Sequence, residues 1–436
     1  MPSSLLTPLR WGLPVLLLVT APWAEPLDAQ GSTRARDLGV VLDGTPGALN
    51  AITDVPGLEV GQVTLIEGEG LRVQGQGPIR TGVTAVLPRG RHNLEPVFAS
   101  WFNLNGNGEM TGTAWIDDSG FMTGPFMITN TFSLGTVRDA VIEWQMTHAP
   151  NHYLGLPVVA ETSDRLLNDR SGFHVTREHA FQALDQAAAG PVAEGGVGGG
   201  TGTMCHGFKA GIGTSSRTVM LGGETYTVGV LVQCNYGARE LLTVSGVPVG
   251  RYIRDLEPCH DTDGPISEPV LPRCAEVETP PSGEPGGRRS APESLRPAPL
   301  THVGGDEEPG GSIIILVATD APLLPHQLSR VARRGGMGLA RLGSIAANAS
   351  GDLVLSFSTA NEGAWSRTGA GSVDVVPNGW LNPIFEATIQ ATEEAILNSL
   401  IAAETMVGAD HIKAHALPHD RLRELLNRYN RLTTEP

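Results

Sequence analysis

A serine that follows two glycines and opens an aliphatic run is the residue best suited to covalent chemistry in this chain. Ser312 comes directly after Gly310 and Gly311 and precedes the run 313–318, which is rich in β-branched residues. Such a run between turn residues predicts a buried strand with Ser312 at its first position. Scission between Gly311 and Ser312 would free the serine's α-amine, whose reference pKa is about 7.7–8.0. One residue would then supply both the nucleophile and its general base.

The same junction also fits a simpler interpretation, in which a glycine-tailed linker enters an ordinary core strand. No Gly-x-Ser-x-Gly elbow and no His-Glu-x-x-His motif occurs in the sequence, which argues against an α/β-hydrolase and against a zincin. The junction by itself leaves both interpretations open.

The spacing of apolar residues along the chain predicts the strands and helices that would hold such a serine in place. Besides the strand at Ser312, short apolar runs bounded by turn residues predict strands at 58–65, 82–88, 226–233 and 352–358. Helical spacing predicts helices at 136–144, 177–185, 328–342, about 383–406 and about 420–428. Strands and helices interleave in both halves of the chain, which predicts a layered α/β architecture.

Residues 258–309 have a different composition. Proline, glycine, glutamate, arginine and serine dominate this stretch, which is typical of an exposed, loosely ordered insert. Cys259 and Cys274 lie inside it and could close a small disulfide loop. Cys205 and Cys234 flank apolar segments and are interpreted as small buried apolar side chains, because the chain has no zinc-ligand spacing.

The first 29 residues predict an export signal. Arg10 precedes the apolar stretch 11–20, which is too short to cross a bilayer, and Ala24 and Ala29 offer cleavage positions. An uncleaved anchor is the alternative. We therefore expect a periplasmic or secreted protein with no membrane contact after signal removal. The net charge of −16, from 46 acidic and 30 basic residues, argues against nucleic acid as a partner.

Several candidate sites give weaker signals. The glycine-dense segment 195–202 lacks the residues of a P-loop and the spacing of a dinucleotide motif, so it is interpreted as a loop beside the active site. Residues 260–264 resemble the start of a calcium loop without its remaining ligands. Lys209 could act as a base but is interpreted as part of a strand turn. His326 and His419 each follow Leu-Pro, which favours a helix-start or packing role.

Longer blocks of sequence point to a known family. The blocks are residues 36–39, 44–57, 129–131, 208–217, 318–323 and 417–422. They resemble the L-aminopeptidase/D-esterase family, which includes the β-peptidyl aminopeptidases. The resemblance implies a self-processing serine hydrolase with a four-layer αββα sandwich, in which chains 36–311 and 312–436 form one domain. It implies no cofactor and no metal, and it suggests a homo-oligomer of such αβ units.

The resemblance also assigns reacting groups. Ser312 matches the family's nucleophile, and the bond between Gly311 and Ser312 matches its autocleavage site. Asn235 matches the asparagine that helps to form the oxyanion hole, although taken alone it would be a turn residue before Gly237. Ser350 and Asp352 match the pair that supports the nucleophile's amine.

Substrate recognition is implied by two further positions. Glu161 matches the glutamate that receives the free amino group of the substrate, so we expect short peptides, amides or esters with an unblocked amino terminus. Members of the family often carry an aromatic residue two positions later, where this chain has Ser163. The pocket is therefore expected to be smaller, wetter or differently shaped.

Two alternative functions remain. An acyltransferase of the ornithine acetyltransferase type would also cleave itself, but its nucleophile is a threonine, so Ser312 argues against it. An uncleaved secreted binding protein on the same fold is the second alternative. The presence of Glu161, Asn235 and Ser312 together argues against the loss of an active site.

Overall fold

The computed structural model describes residues 33–148, 155–266, 271–277, 311–366 and 368–433. The signal peptide predicted at 1–29 and most of the insert predicted at 258–309 lie outside the described residues. Within the described part of the chain, every helix is too short or too polar to span a bilayer.

Two β-sheets form the centre of the molecule. The first has four strands in the order β1 (Glu59–Glu67), β2 (Ile79–Leu87), β5 (Phe126–Asn130) and β6 (Val158–Thr162). The second has six, in the order β4 (Phe121–Met122), β3 (Val97–Gly106), β13 (Ser350–Ser358), β12 (Gly311–Thr319), β10 (Glu224–Asn235) and β9 (Ile212–Leu221). The pairs β5–β6 and β12–β13 are parallel, and the other neighbouring pairs in both sheets are antiparallel.

Helices and short strands complete the described part of the fold. The helices are α1 (Thr113–Ser119), α2 (Leu134–His148), α3 (Arg177–Asp185), α4 (Cys274–Val277), α5 (Pro325–Arg341), α6 (Asn382–Ile401) and α7 (His419–Arg428). The short strands are β7 (Met204–Cys205), β8 (Phe208–Lys209), β11 (Cys259–His260), β14 (Met406–Val407) and β15 (Ile412–Ala414). Strands β7 and β8 form a hairpin, and β11, β15 and β14 form a small third sheet.

The layers follow from alternating side chains on β12. Ile314 and Leu316 pack between the two sheets, in one cluster with Phe126 of β5. Ile313 and Ile315 point the other way and pack with residues of α5 and α6. Helices α2 and α3 cover the outer face of the first sheet. A strand that is apolar on both faces must be covered on both, and the predicted αββα sandwich is confirmed.

One predicted helix boundary is wrong. The helix predicted at about 383–406 ends at Ile401, and Met406 already belongs to β14. Residues 402–405 carry no glycine or proline stop signal. The helix ends because Met406 pairs with Ala414 of β15, a distant contact that overrides the local preference.

Three residues in the described part of the insert are buried. Cys259, His260 and Cys274 are at most 4% exposed. Strand β11 pairs with β15, and Cys259 and Cys274 form a disulfide. The disulfide loop that the sequence left open is therefore formed. The prediction of an exposed, loosely ordered stretch is wrong for these three residues, because strand pairing and the cross-link bury them.

Cys205 and Cys234 are also paired. Both are fully buried, as expected, but they form a disulfide with Cα atoms 5.9 Å apart, so their interpretation as simple apolar side chains is wrong. The hairpin of β7 and β8 brings Cys205 to the end of β10, and the spacing of cysteines in the sequence does not reveal this contact.

Candidate active site

Ser312 lies at the second position of β12 and is only 3% exposed. The strand register places it opposite Asn235 of β10 on one side and beside Gly351 of β13 on the other. Side chains alternate along a strand, so Ser312 shares the face of Ile314, which points towards the first sheet. The two neighbouring strands therefore fix the position of this serine.

A cavity of about 630 Å³ lies in front of Ser312. Asn235 and Ser312 contribute to its wall from the second sheet. Glu161 of β6 and Thr131, which follows β5, contribute from the first sheet. The cavity thus brings together residues from both central layers of the sandwich.

Gly311 is packed too tightly to carry a side chain. A Cβ atom at this position would lie 2.8 Å from the carbonyl oxygen of Asn235 and 2.9 Å from Cα of Tyr236. Both neighbours are backbone atoms at the end of β10, so they cannot move aside as a flexible side chain would. The residue before the serine must therefore be glycine for the strands to pair this closely.

Asn235 is the last residue of β10, and its amide orientation is fixed. The backbone N–H of Met204 donates to Asn235 Oδ1 at 3.1 Å. An N–H group requires an oxygen acceptor, so the Nδ2 group must point away from Met204. This leaves Nδ2 as the donor that the side chain can present to a ligand in the cavity.

Ser350 and Asp352 lie at the start of β13. The Ser350 hydroxyl donates to Asp352 Oδ1 at 2.6 Å. Neither residue belongs to the described wall of the cavity. Register instead pairs Ser350 with Gly311, which places the pair beside the backbone that joins Gly311 to Ser312. Burial raises the pKa of the Asp352 carboxyl, and the hydrogen bond from Ser350 opposes this rise.

Glu161 is a buried carboxylate held by two donors. It is 4% exposed, and its Oε1 accepts the backbone N–H of Glu109 at 3.0 Å. The hydroxyl of Thr131 donates to Oε2. Burial raises the pKa of the Glu161 carboxyl, and these two hydrogen bonds oppose the rise. The carboxylate is thus oriented in a site that penalises its charge.

Ser163 lies just beyond β6 and contributes to the cavity wall together with its neighbour Asp164. The buried Ser163 hydroxyl makes no hydrogen bond to any described residue. Asp164 is 1% exposed, and burial raises its pKa to about 6. The second position after Glu161 is therefore filled by a small residue whose hydroxyl is turned away from solvent.

Three contributors to the site were missed by sequence reasoning. Thr131 lies within a block that supports the family resemblance, yet nothing local connects it with Glu161. Met204 acts through its backbone N–H, which residue type does not reveal. Tyr236 lines the cavity, and burial, together with the charge of Asp352, raises its pKa well above its ordinary value. Its position after Asn235 was the available signal.

One of the weaker candidates contributes to the cavity wall, and the others lie outside it. Gly202 of the glycine-dense loop lines the cavity. His419 Nε2 lies 2.9 Å from the carbonyl oxygen of Ile401, in keeping with a packing role. His326 is exposed at the start of α5. Lys209 is buried behind the site and does not reach the described cavity wall.

The profile of peptidase family S58 matches residues 50–414. The chain belongs to peptidase family S58. This confirms the predicted family and makes the protein a peptide-bond hydrolase of an aminopeptidase family.

Relatives of this S58 chain cover nearly its whole length. It is 50% identical over 401 residues to the β-peptidyl aminopeptidase BapA of Sphingosinicella microcystinivorans, with 92% of this chain and 93% of the relative covered. It is 43% identical over 425 residues to the β-peptidyl aminopeptidase BapA of Sphingosinicella xenopeptidilytica, with 96% and 95% covered.

The fold of the S58 chain is also similar to that of a solved structure. The L-aminopeptidase D-Ala-esterase/amidase of Ochrobactrum anthropi, a prototype of the serine aminopeptidases, shows a variant of the Ntn hydrolase fold. It is 40% identical and superimposes with a TM-score of 0.77, covering 92% of this chain and 99% of its own.

Proposed function

We propose that this S58 chain is an exported, self-processing serine aminopeptidase that releases the N-terminal residue from short peptides, amino-acid amides or esters. One observation carries the proposal. Ser312 and Asn235, paired at the ends of neighbouring strands, share a cavity with Glu161 from the opposite sheet. A nucleophile, an oxyanion donor and a group that binds an amine thus line one space.

The first step is scission of the chain at Gly311–Ser312. The Ser312 hydroxyl attacks the Gly311 carbonyl carbon, and the C–N bond breaks as the departing nitrogen takes a proton. Water then hydrolyses the resulting ester, which leaves a carboxylate on Gly311 and a free amine and hydroxyl on Ser312. The α-amine stays beside Ser350 and Asp352, because neighbouring strands lie about 4.7–4.9 Å apart.

The second step uses the new amine as a general base. It accepts the proton of the Ser312 hydroxyl as the oxygen attacks the carbonyl of the substrate. Asn235 Nδ2, together with a backbone N–H, stabilises the oxyanion, and one such donor typically lowers the barrier by about 2.7–4 kcal/mol. The amine returns the proton to the leaving group, and water releases the acyl residue.

Glu161 selects substrates with a free amino terminus. Its buried carboxylate has two fixed donors and an environment that raises its pKa. A substrate ammonium would offset the desolvation of this charge. A blocked amino terminus would leave the carboxylate without its partner, which typically costs about 3–5 kcal/mol.

Substrate class and location extend the proposal. Both curated relatives are named β-peptidyl aminopeptidases, so β-aminoacyl amides are the first substrates to compare with L- and D-aminoacyl amides. The signal-like segment 1–29 supports export to the periplasm or the medium. The cleaved αβ units are expected to form a homo-oligomer.

A denaturing gel of the purified full-length protein tests the proposal. We expect two fragments, with the smaller one beginning at Ser312 by N-terminal sequencing. Ser312→Ala should give a single uncleaved band and no hydrolysis of aminoacyl p-nitroanilides. The control Ser372→Ala changes an exposed serine and should be cleaved and active.

Two results would overturn the proposed function. The first is an intact chain that hydrolyses aminoacyl amides, and the second is a fully active Ser312→Ala variant. An uncleaved, inactive wild-type protein after long incubation would instead support the binding-protein alternative.

A further inference from the structure

Lys209 is a buried cation on the hairpin behind Asn235. Its exposed fraction is 0%, and its strand β8 pairs with β7 so that Lys209 stands opposite Met204. Among the described residues, no carboxylate forms an ion pair with it. Burying an unpaired charge is costly, so a lysine at this position calls for a reason.

The contacts of the Lys209 ammonium supply that reason. Nζ donates to the carbonyl oxygens of Thr203 at 3.1 Å and Gly200 at 3.5 Å, and to that of Ala210. An ammonium has three N–H donors and no acceptor, so each of its protons faces a backbone carbonyl. Burial lowers the pKa of Lys209 to about 7, while three carbonyl oxygens favour the protonated form.

The presence of a lysine rather than an arginine at position 209 is also informative. The whole chain has only two lysines, Lys209 and Lys413, and its other basic side chains are arginines. An arginine presents a planar fork of donors, whereas a lysine presents a compact group with three divergent ones. Three carbonyls around a single point require the lysine geometry.

Two of these carbonyls, those of Gly200 and Thr203, belong to the segment that orients the oxyanion asparagine. Residues 200–203 lead directly into Met204, whose N–H donates to Asn235 Oδ1 at 3.1 Å. The next residue, Cys205, is cross-linked to Cys234, the neighbour of Asn235. Lys209 thus holds the segment from one side, and the disulfide holds it from the other.

We propose that Lys209 is a positioning residue for the oxyanion hole. It fixes segment 200–204, and through the Met204 N–H it keeps Asn235 Nδ2 directed into the cavity. It does not touch the substrate. This inference rests on the proposed function, because it acts through the role assigned there to Asn235.

Lys209→Met tests the inference, because methionine keeps the apolar stem and removes all three donors. We expect kcat for an aminoacyl p-nitroanilide to fall about tenfold or more, up to the ~10²–10³-fold loss typical of removing an oxyanion donor, with KM almost unchanged. Autocleavage should slow in parallel. Lys413→Met is the matched control, since Lys413 is the other lysine of the chain and its ammonium pairs with Asp261.

A double-mutant cycle separates positioning from general stability. In an Asn235→Ala background, Lys209→Met should lower kcat no further, because the group that it positions is gone. An equal loss of kcat in both backgrounds, or a change in KM alone, would overturn the inference. If Asn235→Ala itself leaves kcat unchanged, the oxyanion step of the proposed function is wrong instead.

A milder variant covers the case in which Lys209→Met does not fold. Thr203→Val removes the hydroxyl that donates to the Gly200 carbonyl at 3.0 Å and keeps the lysine. It should lower kcat severalfold in the wild-type background and have no further effect with Asn235→Ala. An unchanged kcat in folded Thr203→Val would overturn the inference.

Discussion

The two central sheets contribute to the cavity in different ways. The second sheet carries Asn235, Ser312 and the pair Ser350 and Asp352 on three adjacent strands, β10, β12 and β13. The first sheet carries Glu161 on β6, an edge strand held by a parallel partner on one side. Proposed chemistry and proposed recognition thus lie on opposite layers of the sandwich.

The difference lies in what holds each group. On the second sheet, backbone register positions Ser312 and Asp352 between paired strands, while Asn235 pairs with Ser312 and its amide is oriented by the Met204 N–H. Glu161 is positioned by hydrogen bonds from a backbone N–H and from the Thr131 hydroxyl. We therefore expect changes on the second sheet to lower kcat and changes on the first sheet to raise KM.

Glu161→Gln should have the largest effect on recognition. Losing one partner of a buried ion pair costs about 3–5 kcal/mol, so we expect KM to rise by about two to four orders of magnitude with a smaller change in kcat. The matched control Glu109→Gln changes an exposed side chain and keeps the N–H that binds Glu161. A collapse of kcat at constant KM would contradict the division between the sheets.

The raised pKa of Glu161 adds a stability signature to the same variant. Its folded pKa lies above the unfolded value, so ionisation of this group destabilises the fold as pH rises through that range. Glu161→Gln should therefore keep or raise the Tm at neutral pH. In the wild type, KM should increase as pH falls through the raised pKa, because the protonated carboxyl no longer attracts an ammonium. A clear drop in Tm would contradict this reading.

Asn235→Ala tests the second sheet. Its effect on kcat should be nearly as large as the effect of Glu161→Gln on KM. Removing an oxyanion donor costs about 2.7–4 kcal/mol, or ~10²–10³ in kcat, and KM should stay within a few fold. Single-turnover kinetics on the processed fraction provide the measurement. Asn427→Ala, an exposed change on α7, is the control. A higher KM with unchanged kcat would show that Asn235 belongs to recognition.

Ser163→Tyr should have the smallest effect. It tests whether a residue beside the first sheet shapes the substrate pocket. Pocket changes of this kind shift discrimination between substrates by about 1–3 kcal/mol, so the ranking of a panel of aminoacyl p-nitroanilides should change. The control Ser163→Ala should leave the ranking intact, because the hydroxyl has no hydrogen bond among the described residues. A ranking unaffected by tyrosine would show that Ser163 does not shape the pocket.

Much of the second sheet could be predicted from local sequence. Strand β12 was visible because it is apolar on both faces, and such a run is typical of a strand covered on two sides. The functional residues of the first sheet are harder to predict from local sequence. Glu161 was found through family resemblance, while its partner Thr131 came from no local signal, because the two residues meet only when β5 and β6 pair.

The sequence by itself determined the family, the alternation of strands and helices, and a serine at the start of a buried strand, since these depend on residue types at close spacing. The tertiary structure decided the Cys205–Cys234 pairing, the end of α6, the link from Lys209 to Asn235 and the cavity that Glu161 shares with Ser312. Each of these features depends on which strands pair and stack, and short-range periodicity carries no information about that choice.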